Sequence, residues 1–99
     1  MRRELEPQLE MPAVKKLYEA LAAIDQPKDM ALFLRDLLTL EEIKEASRRL
    51  LIAQNLKKGK STRDIAKEFG VSTTTVVRIN YWLHYGMGGY DLALKKLKQ

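Results

Sequence analysis

Hydrophobic residues recur every three or four positions along most of this 99-residue chain, with polar residues between them. This period is typical of amphipathic α-helices that each bury one face. Prolines 12 and 27 stand where the first two helices begin, and Thr39 with Glu42 forms a capping box before the third. We therefore predict an all-α fold of six helices. Their expected bounds are about 12–25, 27–38, 40–58, 62–69, 73–85 and 90–99.

Residues 1–11 lack a sustained period and mix charges around Pro7. We interpret them as an N-terminal arm that is either disordered or packed on a partner subunit, and residues 12–99 as a single all-helical domain. No apolar run approaches a membrane span, and no signal peptide is recognised. We expect a cytoplasmic protein without a membrane partner. The absence of cysteine excludes disulfides and thiol catalysis.

The second half of the third predicted helix is apolar over a wide arc. A helix that is apolar on most sides is buried on most sides, and a chain of this size has few other elements to cover it. We therefore predict a homodimer with extensively shared helices. The residues concerned are Leu50, Leu51, Ile52, Ala53 and Leu56.

The stretch 62–81 has the pattern of a helix-turn-helix, extending to about residue 85. Ser61 caps the first helix, Gly70 ends it, and Ser72 caps the second. Ala66 is small enough to let the two helices cross closely. In such a motif the second helix enters the major groove of DNA. The residues predicted to face inward are Ile65, Ala66, Phe69, Val71, Val76 and Ile79.

The outward positions of the second helix carry groups that suit double-stranded DNA. Hydroxyls and arginine bind phosphates or base edges, and a Val or Thr methyl contacts a thymine methyl. No acidic residue occurs between Glu68 and Asp91, so nothing there repels phosphate. The predicted DNA contacts in this helix are Ser72, Thr73, Thr74, Val77 and Arg78.

Charge is distributed unevenly along the chain, whose net charge is +5. Residues 1–56 hold 9 basic and 10 acidic residues, whereas residues 57–99 hold 9 and 3. The basic half contains the helix-turn-helix, as expected for a protein with a polyanionic partner. Lys57, Lys58 and Lys60 are either phosphate contacts or complements to a helix dipole. Thr62 and Arg63 complete the predicted DNA-contacting set.

Two other interpretations of the same stretch stay open. In one, the stretch is an ordinary helical hairpin with a polar surface. In the other, it is a helix-turn-helix that docks on another protein, which the apolar Val77 on its outer face would permit. An enzyme is not predicted, because His84 is the only histidine and no phosphate loop or nucleophile motif occurs. We expect His84 at the surface or partly packed at a helix end, with no catalytic residue and no metal ion.

Several short motifs occur together in this order along the chain: Leu38–Glu42, Arg49, Lys57–Gly59, Ser61–Ile65, Phe69–Gly70 and Thr74–Arg78. Through them the sequence at about 38–83 resembles the Trp repressor family, and over 16–97 it more closely resembles that family's YerC/YecD-type relatives. The resemblance implies an intertwined homodimer of six-helix subunits. It also implies two recognition helices in successive major grooves, and transcriptional control.

The resemblance also implies an effector pocket in which a ligand lies between Arg49 and Arg78. Where the family has a small Gly and a Ser, this chain has Ile79 and Trp82. We expect these larger side chains to occupy the slot from within. Tryptophan is then doubtful as a co-repressor, and any small-molecule co-repressor has another identity.

Three points about this pocket stay open. One is whether the protein is a tryptophan-dependent repressor, an interpretation that Ile79 and Trp82 disfavour. Arg49 is alternatively a surface arginine on a charged helix face. For Trp82, core packing is favoured over a ligand role, and the sequence does not decide how Tyr81 and Tyr85 pack.

Overall fold

The computed structural model describes residues 4–98. Over this range it is all-helical, with one short 3-10 helix, six α-helices and no strand. The predicted helix ends agree to within about two residues, the usual uncertainty at helix termini. The α-helices are α1 (Pro12–Ala23), α2 (Pro27–Leu37), α3 (Leu40–Lys57), α4 (Thr62–Phe69), α5 (Thr73–Tyr85) and α6 (Gly89–Leu97).

The predicted N-terminal arm contains one ordered turn. Pro7–Glu10 forms a 3-10 helix, and the Leu9 amide donates to the Glu6 carbonyl at 2.9 Å. Proline at the first position favours this turn because its φ is already helical. Residues 1–3 of the arm, and residue 99 at the end of the last predicted helix, lie outside the described residues.

The described chain divides into two compact units, residues 4–44 and residues 45–98. The prediction of one domain over 12–99 stays a prediction. In residues 4–44, the capping box before α3 is confirmed. The Glu42 amide donates to Thr39 Oγ1 at 3.1 Å, and the Thr39 amide donates to Glu42 Oε1 at 2.8 Å.

Residues 4–44 contain no buried side chain. Their apolar stripes have the predicted helical spacing but are only half-buried in the single chain. This applies to Val14, Leu17, Leu21, Ile24, Met30, Phe33, Leu34 and Leu38, while Leu37 is exposed.

Residues 45–98 have a core of their own, formed by the second half of α3 with α4, α5 and α6. Leu50, Leu56, Phe69, Val71 and Tyr90 pack against it as partly buried residues. The predicted arc on α3 is buried only in part, since Leu51 is 47% exposed. The core residues are Ile52, Ala53, Ile65, Ala66, Val76, Ile79 and Leu94.

The connection from α5 to α6 depends on Gly86. This glycine is buried, and its amide donates to the Trp82 carbonyl at 2.9 Å. A Cβ at this position would collide with that same carbonyl oxygen. The close approach of the two backbone segments therefore requires glycine.

Within residues 4–98, none of the helices combines the length and the apolar character that crossing a membrane requires.

Candidate nucleic-acid interface

The turn between α4 and α5 is fixed by two caps and a glycine. Ser61 Oγ accepts a hydrogen bond from the Asp64 amide at 3.1 Å, at the start of α4. Gly70 ends α4 with φ +65°, a left-handed conformation that glycine adopts without steric cost. Ser72 Oγ accepts from the Thr75 amide at 3.1 Å and so begins α5. Both predicted caps and the predicted glycine terminus are confirmed.

The inner faces of α4 and α5 close against the core as predicted. Ile65 and Val76 are fully buried, and Ala66 and Ile79 are nearly so. Val71 lies in the turn, partly buried, and its amide donates to the Ala66 carbonyl at 3.0 Å. The buried side chains hold the two helices together, so the outer side of α5 is presented on a packed support.

The exposed start of α5 carries hydroxyls, a valine and an arginine. Thr73, Thr74 and Arg78 are exposed, and Val77 is 55% exposed. Ser72 is exposed too, but its hydroxyl is already used by the cap and lies 3.0 Å from Thr75 Oγ1. These side chains can offer hydrogen bonds and methyl contacts to a partner.

The electrostatics of this surface favour an anion. The first turn of α5 contains no acidic residue. The first amides of a helix lack intrahelical partners, and the helix dipole adds partial positive charge there. Arg78 takes part in none of the ion pairs found among residues 4–98. Its guanidinium can therefore bind a phosphate or a base without first breaking one of these pairs.

The three predicted lysines before α4 differ in their surroundings. Lys57 Nζ lies 3.0 Å from Asp91 Oδ1, and Lys60 Nζ lies 3.5 Å from Glu68 Oε1. Lys58 is exposed. A phosphate would therefore have to compete with a carboxylate for two of these lysines. Their role as DNA contacts stays a prediction.

The first turn of α4 holds the two remaining predicted DNA contacts. Thr62 is half-buried and Arg63 is exposed. The arginine is thus accessible to a partner, whereas the threonine is accessible only in part.

The four residues of the predicted effector pocket also differ. Ile79 belongs to the core, and Arg78 is exposed. Arg49 Nε lies 3.5 Å from Glu45 Oε1, as expected of an arginine on a charged helix face. That Ile79 and Trp82 occupy an effector slot stays a prediction.

The expectation that Trp82 is a core residue is wrong for the single chain. Its side chain is 45% exposed. The core positions of α5 are Val76, Ile79 and Leu83, so the next residue, Leu83, takes the inward position. Trp82 instead lines a shallow cavity of about 440 Å³. The other lining residues are Leu50, Gly86, Met87, Gly89, Tyr90 and Ala93.

Exposed aromatic rings continue the outer surface of α5 towards its end. The rings of Tyr81 and Trp82 meet edge to face with centroids 5.4 Å apart, and those of Tyr81 and Tyr85 lie 5.2 Å apart. Both tyrosines are exposed. His84 is exposed as predicted, with Nδ1 2.9 Å from the Asn80 carbonyl oxygen. The sequence could not place these rings, because packing and exposure are both compatible with their spacing.

The protein is thus all-helical over the described residues, and the start of α5 is exposed to solvent. This start is capped by Ser72 and has no acidic residue in its first turn. Comparison with known proteins shows that the chain belongs to the Trp repressor protein family, whose model matches residues 13–98. The resemblance recognised in the sequence is thus confirmed.

Individual relatives cover nearly the whole chain. The chain is 31% identical to the uncharacterised protein YerC of Bacillus subtilis strain 168 over 84 residues. This match covers 85% of the present chain and 81% of YerC. The crystal structure of a TrpR-like protein from Eubacterium eligens ATCC 27750 superimposes with a TM-score of 0.88 at 32% identity. That superposition covers 95% of this chain and 97% of the other. A candidate Trp repressor from Staphylococcus aureus gives a TM-score of 0.87 at 28% identity, covering 97% and 96%.

Proposed function

We propose that this protein is a sequence-specific regulator of transcription, a repressor, that binds double-stranded DNA through a helix-turn-helix formed by α4 and α5. The observation that carries the proposal is the asymmetry of this pair. Its inner side is closed by Ile65 and Val76, and its outer side carries hydroxyls and Arg78 without an acidic group in the first turn of α5. Membership of the Trp repressor family supports the same function.

In this proposal the start of α5 enters the major groove. Thr73, Thr74, Val77 and Arg78 are exposed there and are proposed to contact base edges or nearby phosphates. Binding rests largely on phosphate neutralisation, so the logarithm of affinity should fall with the logarithm of salt, by about 0.9 per phosphate neutralised. Further phosphate contacts are assigned to Lys57, Lys58, Lys60, Thr62, Arg63 and Ser72.

We further propose that the protein acts as a homodimer with intertwined helices. Residues 4–44 bury none of their apolar side chains in the single chain, and Leu37, Leu40 and Leu51 are each about half-exposed. A soluble protein rarely leaves so many large apolar side chains in solvent, so a second copy is the proposed cover. Light scattering should then give about twice the 11.4 kDa mass of one chain.

Tryptophan is not needed for DNA binding in this proposal. Ile79 is part of the core, and the half-exposed Trp82 supplies an indole of the protein's own beside Leu50 and Tyr90. Calorimetric titration with tryptophan separates this account from a tryptophan-dependent repressor. No heat of binding and unchanged DNA affinity are expected, whereas saturable binding that raises DNA affinity would favour the dependent repressor.

The direct test is selection from a randomised pool of duplexes at low salt. The dimer should retain near-palindromic sequences whose half-sites lie about one helical turn, or a multiple of it, apart. The control is the same selection with Arg78→Ala, which should enrich less strongly. A folded wild-type dimer that enriches no sequence would contradict the proposal.

Docking on another protein remains the second candidate function, because the outer side of α5 is partly apolar. Val77, Tyr81 and Tyr85 are all more than half exposed along this helix. The two functions differ in what Val77→Ala affects. If Val77 contacts DNA, the variant should select duplexes with an altered preference at one base pair. If Val77 contacts a protein partner, the variant and the wild type should give the same result in the duplex selection.

A further inference from the structure

A cleft of about 390 Å³ lies between the end of α3 and α6. Its walls come entirely from the unit of residues 45–98, and none of them belongs to α4 or α5. It therefore shares no residue with α5 or with the predicted effector pocket, but it does include Lys57 and Lys58, to which the proposed function also assigns phosphate contacts. The lining residues are Gln54, Lys57, Lys58, Asp91, Leu94, Lys95 and Lys98.

The cleft carries an excess of positive charge. Four of its lining residues are lysines and one is an aspartate. The carboxylate of Asp91 is engaged by Lys57, whose Nζ lies 3.0 Å from Oδ1. Lys58, Lys95 and Lys98 are exposed and form none of the ion pairs found within residues 4–98. Like charges that line one cleft repel one another, so an anion bound among them would be stabilised.

Most of the lining surface of the cleft is apolar. Leu94 is buried, and the lysines can contribute their aliphatic stems. The volume falls within the roughly 300–1,000 Å³ that small-molecule sites usually occupy. A concave, largely apolar site that is also lined by lysines suits a small organic anion better than the convex backbone of a duplex.

We propose that this cleft binds a small organic anion, with its phosphate or carboxylate at Lys57, Lys58 and Lys95 and its apolar body against Leu94. Asp91 acts as an internal counter-ion that holds Lys57 until the ligand replaces it. Lys57 and Lys58 lead directly through Gly59 into the segment that caps α4. A ligand here therefore contacts the connection between α3 and the proposed helix-turn-helix. An effect of the ligand on DNA binding would rest on the proposed function, whereas ligand binding itself does not.

The first experiment titrates the ¹⁵N-labelled full-length protein with phenyl phosphate, benzoate and phenol, in the absence of DNA. Phenyl phosphate or benzoate should give saturable shifts of amides at 57–58 and in α6, and the uncharged phenol should not. Whichever anion binds more tightly identifies the head group as phosphate or carboxylate. Saturable shifts confined to α5, equal shifts with phenol, or no saturation with either anion would overturn the proposal.

Three variants test whether the affinity for the anion depends on the charged residues that line the cleft. Lys95→Gln should weaken binding of the better anion by about two- to fivefold, and Asp91→Asn should tighten it by a similar factor. Lys96→Gln is the matched control, since Lys96 is exposed on the same helix but does not line the cleft. It should change the affinity less than Lys95→Gln does. The amide spectrum of each variant checks that it is folded.

Equal effects of Lys95→Gln and Lys96→Gln would show a diffuse charge effect and overturn the site. Weaker binding by Asp91→Asn would remove the counter-ion role and also contradict the proposal. The DNA measurement is separate. If the wild-type protein binds no duplex, the proposed function as a DNA-binding regulator is wrong, and the result of the anion titration still stands. If Lys95→Gln weakens duplex binding while no anion binds, the cleft is a DNA contact, and the proposal is wrong.

Discussion

The two units of this chain use the same helical pattern with opposite results. Residues 45–98 bury a set of apolar side chains among α3, α4, α5 and α6, including fully buried Ile52, Ile65 and Val76. Residues 4–44 have apolar stripes of equally regular spacing, yet none of their side chains is buried in the single chain. An amphipathic pattern thus predicts which face of a helix is apolar, but not what covers that face.

This difference in burial corresponds to a difference in the proposed functions of the two units. The unit with the closed core supports the exposed start of α5, where a fixed geometry is needed for base recognition. The unit without buried side chains is the one proposed to close against a second copy. Substitutions in the two units should therefore change different measured quantities.

The largest effect is expected in the closed core. Ile65→Ala removes a fully buried side chain and should lower the free energy of unfolding by about 2–5 kcal/mol, measured by denaturant titration. Val77→Ala, at an exposed position on α5, is the control and should stay within about 0.5 kcal/mol. Equal costs for the two variants would show that this core is not closed.

The second effect tests the connection from α5 to α6. Gly86→Ala places a Cβ against the carbonyl of Trp82 and should destabilise the protein by about 1–3 kcal/mol, seen as a lower Tm. Gly89→Ala is the matched control, because a Cβ there meets no atom within 4 Å. It should leave Tm unchanged or raise it slightly. A Tm for Gly86→Ala as high as that of Gly89→Ala would contradict the packing described for this turn.

The third effect tests what covers residues 4–44. Leu37→Asn places a polar group on the apolar side of α2 and should weaken dimerisation by about 1–2 kcal/mol, measured by sedimentation equilibrium. The neighbouring Asp36→Asn, also exposed, should not change the dissociation constant. If both variants dimerise like the wild type, a second copy does not cover this surface.

The smallest effect should be the same in both units. Thr39→Ala and Ser61→Ala each remove a helix cap and should each cost about 1 kcal/mol of unfolding free energy. Caps act locally, so their cost does not depend on whether a unit has a closed core. The two Ala variants are compared in one denaturant series. A loss at Ser61 without a loss at Thr39 would mean that the start of α3 is not fixed by its capping box.

Local chemistry explains what the sequence predicted well. Ser61, Gly70 and Ser72 define both ends of α4 and the start of α5 through hydrogen bonds over three or four residues, so a short stretch contains the needed information. The inward positions Ile65 and Val76 followed from helical spacing alone.

Long-range packing explains what the sequence missed. Trp82 is half-exposed because Leu83, one residue later, takes the core position on α5. Likewise, Lys57 meets Asp91 across a separation of 34 residues, which no local pattern reveals. The cleft between α3 and α6 was therefore not foreseen, although its lysines were visible in the sequence.

The most direct test of the central claim compares the affinities of wild type, Arg78→Ala and Arg35→Ala for one selected duplex and its scrambled version. Arg35 is an exposed arginine of α2 in the unit without buried side chains, and so provides the matched change of charge. Arg78→Ala should lose about 1–3 kcal/mol on the selected duplex, while Arg35→Ala binds like the wild type. If the wild type binds both duplexes equally and Arg78→Ala changes neither affinity, α5 does not recognise DNA and the account is contradicted.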